Sequence, residues 1–420
     1  MLYSIRPVWA SAQLLLAVMF PVATAMAQGV VVNGSVYGGG NNADVKANAE
    51  VNINMGKVLG SVYGGGNLGS VGTFTVDNDA NNNVTDGKPI CCSENTGICI
   101  VTISGNVAIG PEKAMHMTAS GGPDDLGHVF GAGKGTVTNP NCEVMAYVDS
   151  TKVTISGNVL VKGSVYGGSE SGHVLNNTGV FIEGGQIGCS KDKTGRLDDE
   201  IWGESYTPPT GDLSELECDS WPFEAPFAPY DPFANAEGDL DKYLNGTSTA
   251  GGRRSASDGH TYYGNVYGGG SGCIPYFDTT DGISKYFSHA GTVEGRTYVE
   301  ISGGHILTNV YGGCETTNVL KTATVCMKGG TVGVPRTVSQ IVNHPVTGYV
   351  FGAGKGDQRI YFNKETNVND AIVIVSGGRV YGSVYGGGED GHVLRNSKVT
   401  IEEADGETPN YYWHNRYQLL

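Results

Sequence analysis

One heptad, Gly-Ser-Val-Tyr-Gly-Gly-Gly, stands at 34 to 40, again at 60 to 66 and again at 382 to 388. Related copies read Gly-Ser-Val-Tyr-Gly-Gly at 163 to 168, Gly-Asn-Val-Tyr at 264 to 267 and Asn-Val-Tyr at 309 to 311, with Val-Phe-Gly-Ala-Gly-Lys-Gly at 129 to 135 and 350 to 356. Self-similarity of this kind constrains a chain more than its composition does, because each copy must find the same surroundings, and stacked repeats supply them.

A second module lies between the copies. It is a short alternating run closed by glycine: Val153-Thr154-Ile155-Ser156-Gly157, Val180-Phe181-Ile182-Glu183-Gly184, Val299-Glu300-Ile301-Ser302-Gly303 and Val373-Ile374-Val375-Ser376-Gly377, with fainter copies from Val51, Val101, Val325 and Val399. The step from Val36 to Val51, Val165 to Val180, Val310 to Val325 and Val384 to Val399 is 15 residues. The return step is 11 from Val51 to Val62, Val299 to Val310 and Val373 to Val384, which makes a basic rung of 26 residues. Longer steps, as the 24 residues from Val129 to Val153, read as insertions, and the recurrence of Gly-His-Val-Leu at 172 to 175 and 391 to 394 reads as a duplicated two-rung block.

Alternation over four or five residues bounded by glycine is the mark of short half-buried strands, since successive side chains leave opposite faces. The 66 glycines disfavour helix throughout. A 26-residue unit is shorter than a propeller blade of about 40 residues. The expected fold is therefore all-β, a parallel β-helix (β-solenoid) with irregular insertions, three short strands to a rung and glycines at the corners in positive φ. The expected organisation is a signal peptide at 1–27, repeats at 28–188, an acidic Pro/aromatic insertion at 189–263, repeats at 264–403 and an irregular tail at 404–420.

Arg6, the apolar stretch from Val8 to Val22 and the small residues of Ala25-Met26-Ala27 fit a secretory signal cleaved before Gln28, so an exported, extracellular or outer-surface chain is expected. No later stretch is long enough for a membrane-spanning helix. The formal charge of −16 argues against nucleic acid and anionic lipid as partners. Nine cysteines at irregular spacing give neither a disulfide framework nor a zinc site, and no cofactor is expected.

The Val-Tyr-Gly-Gly-Gly modules alternating with V-x-I-x-Gly resemble the glycine-rich repeats of large secreted or surface proteins of Bacteroidetes, similar to adhesin-type β-helix passengers. The resemblance covers about residues 30 to 403 and implies a surface or extracellular structural and adhesive role. Such relatives often carry a C-terminal export or anchoring domain. None is recognisable after the last strand module, and an ending at Tyr411-Tyr412-Trp413 reads as that of a truncated product.

Candidate chemistry is thin. Gly131-Ala132-Gly133-Lys134-Gly135 lacks the early glycine and the hydroxyl residue of a phosphate loop, having His128 and Gly135 at those positions. Calcium would need several acids where the copies carry Asn41, Asn67, Ser271 and Glu389. Glu183, Glu300 and Glu402 read as recurring at one rung position on a solvated face, and no catalytic constellation emerges, although a carbohydrate-active β-helix enzyme, a polysaccharide lyase or glycoside hydrolase, is the alternative reading. The candidate binding strip is Tyr37, Tyr63, Phe130, Tyr166, Tyr267, Tyr311, Phe351 and Tyr385. With each preceding valine inward, alternation turns these rings outward, where a flat strip would suit glycans or a partner protein. Residues 189–263 hold fifteen acids and six bases among prolines and aromatics, a second place for recognition if mounted on a rigid scaffold. The expected function is that of a secreted or cell-surface structural, adhesin-like repeat protein.

Overall fold

A computed structural model describes residues 29–76, 90–110, 127–136, 145–188, 264–272, 276–278, 283–285, 290–333, 348–356 and 366–402. The expected signal peptide, acidic insertion and tail lie outside the described residues. Among the described residues there is no helix, and so none long and apolar enough to cross a membrane.

The chain winds in circuits whose equivalent residues pair in parallel. Eight two-residue strands, from Val36–Tyr37 through Val62–Tyr63, Val129–Phe130, Val165–Tyr166, Val266–Tyr267, Val310–Tyr311 and Val350–Phe351 to Val384–Tyr385, form one sheet, each valine opposite the next valine. This sheet is open, because its first and last strands each have one neighbour. The alternating modules form a 13-stranded sheet in which Val51, Val101, Val153, Val180, Val299, Val325, Val373 and Val399 make one column.

These pairings correct the expected parallel β-helix (β-solenoid) with three short strands per rung. Two large parallel sheets of 13 and eight strands take the place of three separate faces. In four circuits the alternating module runs on through its glycine turn as a single strand, at Ala49–Val58, Ile98–Ile109, Val319–Val332 and Asn367–Val380. Positive φ at Gly56, Gly105, Gly330 and Gly378 lets the backbone bend there while its pairing continues. A further line, Val45, Val71, Val148, Val174, Val293, Val319, Val368 and Val393, closes each circuit and builds a second apolar cluster with Ala132, Cys314 and Ala353. The valines of both sheets fill the larger core.

The glycines of the Val-aromatic module serve a different purpose from the one expected, since none from 38 to 40 or 64 to 66 has positive φ. The first glycine after each ring abuts the carbonyl of its counterpart one circuit on, so that a Cβ at Gly38, Gly64, Gly131, Gly167, Gly268 or Gly312 would collide with backbone oxygen. The residue before each valine is polar for a reason of the same kind. Ser35 Oγ accepts from the Ser61 amide at 3.0 Å, Ser61 Oγ from the His128 amide at 3.1 Å and His128 Nδ1 from the Ser164 amide at 2.9 Å. Ser164 Oγ then accepts from the Asn265 amide, Asn265 Oδ1 from Asn309 and Asn309 Oδ1 from Tyr349, each at 3.0 to 3.1 Å. This column satisfies amides that the corner would otherwise bury without partners.

Three of the insertions leave the circuits at the same corner. The chain departs at Gly110, Gly188 and Gly333 and returns at Gly127, Gly264 and Gly348, all with positive φ and each departure glycine packed against its return glycine. All three places are the corner before the Val-aromatic strand, on the circuits of Phe130, Tyr267 and Phe351. The circuits of Tyr166, Tyr311 and Tyr385 between them turn that corner tightly. Corners that carry an insertion and corners that turn tightly therefore alternate.

Candidate functional site

The eight aromatic rings stack in a continuous column. Neighbouring centroids are 4.5 to 5.1 Å apart and interplanar angles lie between 3° and 11°. That spacing is the strand separation of a sheet, so the backbone register imposes the stack. As expected, valine and ring leave opposite faces. Contrary to expectation, the rings are not a surface strip: Tyr63, Phe130, Tyr166, Tyr267 and Tyr311 are at most 1% exposed and Phe351 is 5% exposed. Tyr37 is half-buried, and only Tyr385, on the last circuit, is 45% exposed. No ligand can lie along the six central rings.

The residue four places after each ring, where the chain turns back, explains much of the cover. These positions hold Asn41, Asn67, Lys134, Glu170, Ser271, Glu315, Lys355 and Glu389. Tyr63 donates its hydroxyl to Glu170 Oε2, Tyr166 to Glu315 Oε2 at 2.7 Å and Tyr311 to Glu389 Oε2 at 2.5 Å. Each glutamate therefore receives the hydroxyl of the ring two circuits earlier, and the ring skipped is Phe130, Tyr267 or Phe351. Two of the skipped rings are phenylalanine and need no acceptor. The third, Tyr267, has a buried hydroxyl without a hydrogen-bond partner among the described residues. Lys134 on a skipped circuit pairs with Glu170 at 3.0 Å. The pattern has a period of two circuits, matching the alternation of inserted and tight corners.

Burial, and then the charge of Glu315, pushes the Tyr267 hydroxyl well above the ordinary tyrosine range. Burial and Glu389 do the same to Tyr311. Both phenols stay protonated, and the Tyr311 hydroxyl donates to Glu389 while accepting from Asn309 Nδ2 at 3.0 Å.

Removing a buried hydroxyl that has no partner relieves a desolvation cost, whereas removing one that a buried carboxylate needs leaves that carboxylate short of a donor. Tyr267→Phe is expected to stabilise the protein by about 1 kcal/mol, and Tyr166→Phe to destabilise it by about 1–3 kcal/mol. Chemical denaturation of the two variants beside the parent checks both signs, and equal shifts in one direction would contradict the account.

Two of the three strand acids share one position: Glu183 and Glu402 each follow the isoleucine of one column, Ile182 and Ile401, whereas Glu300 stands two residues earlier, in register with Phe181 and Cys326. Glu300 is held by Lys328 at 2.7 Å and accepts the Tyr298 hydroxyl at 2.7 Å. Cys99, Cys314 and Cys326 are buried thiols outside any disulfide, and burial pushes Cys314 up to about 12. Among the described residues no group of three His, Cys, Asp or Glu is placed to hold a metal ion. The sequence carried the signal for the carboxylate partners in the fixed four-residue offset from the ring, which is visible only once the rungs are aligned. Compared with protein-family models, with curated proteins and with solved structures, the chain matches none.

Proposed function

We propose that the chain is a structural, adhesin-like repeat protein of the cell exterior that carries recognition loops for glycans or surface proteins on a rigid stack. The observation that supports this reading is the corner shared by three of the insertions. Gly110–Gly127, Gly188–Gly264 and Gly333–Gly348 put them on one edge, on every second circuit, while the aromatic column behind that edge is consumed in holding circuits together. Loops mounted in series on a stiff framework suit multivalent contact, in which several weak contacts add up to firm attachment.

Because Gly188 packs against Gly264, residues 189–263 can be deleted and the two glycines joined. The deletion is expected to shift the melting temperature by no more than about 4 °C. It is also expected to lower binding to a glycan array and to whole cells at least tenfold. Unchanged binding, or turnover of a polysaccharide panel by the intact chain, would overturn the reading.

A further inference from the structure

The two ends of the stack are unlike the rest of it. On the first circuit Val30 and Val31 are 60% and 49% exposed, and on the last Tyr385, Leu394, Val399 and Ile401 are 45%, 61%, 41% and 74% exposed. Each end presents strand edges with one row of backbone groups unpaired within the described residues, the arrangement that recruits another chain.

The end faces are also complementary, position by position. The last circuit's heptad at 382 to 388 is identical to the one at 60 to 66, and the heptad at 60 to 66 already pairs with the first circuit's heptad at 34 to 40, Val36 opposite Val62 and Tyr37 opposite Tyr63. Following the columns one circuit beyond Val384, Val393 and Val399 brings each to a position equivalent to Val36, Val45 and Val51. The same step sets Ile401 over Ile53 and Tyr385 over Tyr37. It sets Lys398 over Glu50, since both belong to the column that runs through Ile100, Lys152, Tyr298 and Ile372. Three lines of the circuit thus meet three like lines, and the exposed charges Lys398 and Glu50 meet with opposite sign.

We infer that the last circuit of one copy docks on the first circuit of a second copy, so that the protein assembles head to tail into rods. The contact repeats the pairing already made inside the chain, including the stacking of Tyr385 on Tyr37 and the valine column. Because the two faces differ, the interface is heterologous and does not close on itself, so the rod is open-ended.

The test uses two doubly substituted full chains altered only at exposed end residues, Val30→Lys/Val31→Lys for the first circuit and Tyr385→Lys/Ile401→Lys for the last. A circular dichroism spectrum matching the parent and a single cooperative unfolding transition establish that both fold. In sedimentation velocity and negative-stain electron microscopy the parent is expected to form rods that lengthen with concentration. Each variant alone is expected to stay monomeric, and an equimolar mixture to form dimers and nothing longer, since only one compatible pair of faces remains. A parent that stays monomeric up to its solubility limit, as when its own terminal residues cover an end, would overturn the inference, as would folded variants that polymerise alone.

Discussion

Gly268→Ala is expected to destabilise the protein by about 3 kcal/mol, near the upper end of what overpacking costs. The added Cβ would be driven into the carbonyl oxygen of Gly312 and would crowd Thr297 Cβ at 2.9 Å. Neither can move easily. The Gly312 carbonyl also accepts the Thr297 hydroxyl at 2.5 Å, and the Gly268 amide donates to the Tyr311 carbonyl at 2.9 Å. The circuits must separate at that point, which strains the ladder on both sides. Gly387→Ala supplies the contrast, because a Cβ there meets nothing within 4 Å and its φ is not positive. That change is expected to be neutral or to stabilise by up to about 1 kcal/mol through the unfolded chain. Denaturant unfolding of both variants measures the difference, and equal effects would show that glycine is used here for something other than close approach.

The second large effect concerns the aromatic column. Tyr166→Ala is expected to cost about 3–5 kcal/mol, the range for deleting a buried aromatic side chain. The ring lies between Phe130 at 4.5 Å and Tyr267 at 4.8 Å, so its loss opens a gap with two unsupported faces. It also takes the hydroxyl from Glu315, which is fully buried. Tyr385→Ala, at the exposed end of the same column, is expected to cost less than about half as much, because less area leaves contact. Thermal melts of the two variants, read together with the recovery of soluble protein, test whether the column carries stability from its middle.

Much of the arrangement was legible in the residues. The 26-residue step from Ser35 to Ser61 and from Val36 to Val62 already said that strands pair with their own copies one circuit on, and that valine faces the core. The line of Val45, Val71 and Val174 was not legible, because a lone valine between polar residues has no alternation to mark it. The continuation of strands such as Val319–Val332 through their glycines was missed because glycine in sequence reads as a break, whereas positive φ here preserves the pairing.

The candidate site was misread for a different reason. Alternation fixes which face Tyr166 leaves, but not whether the far side is open. The covering residues arrive four positions later and bond two circuits away, as Glu315 does to Tyr166 across the circuit of Tyr267. Such a contact spans 149 residues of sequence and leaves no local trace. Glu300 looks equivalent to Glu183 and Glu402 in the sequence, but the aligned columns place it two residues earlier than either.

The identical heptads have a consequence for how such a chain can change its length. A deletion that joins Gly34 to Ser61 removes one whole circuit of 26 residues and leaves every remaining valine, ring and amide acceptor facing an equivalent partner. Recombination between like stretches of the coding sequence is therefore tolerated in units of complete turns. Descendants of one ancestor can come to differ in reach without any of them passing through an intermediate that fails to fold.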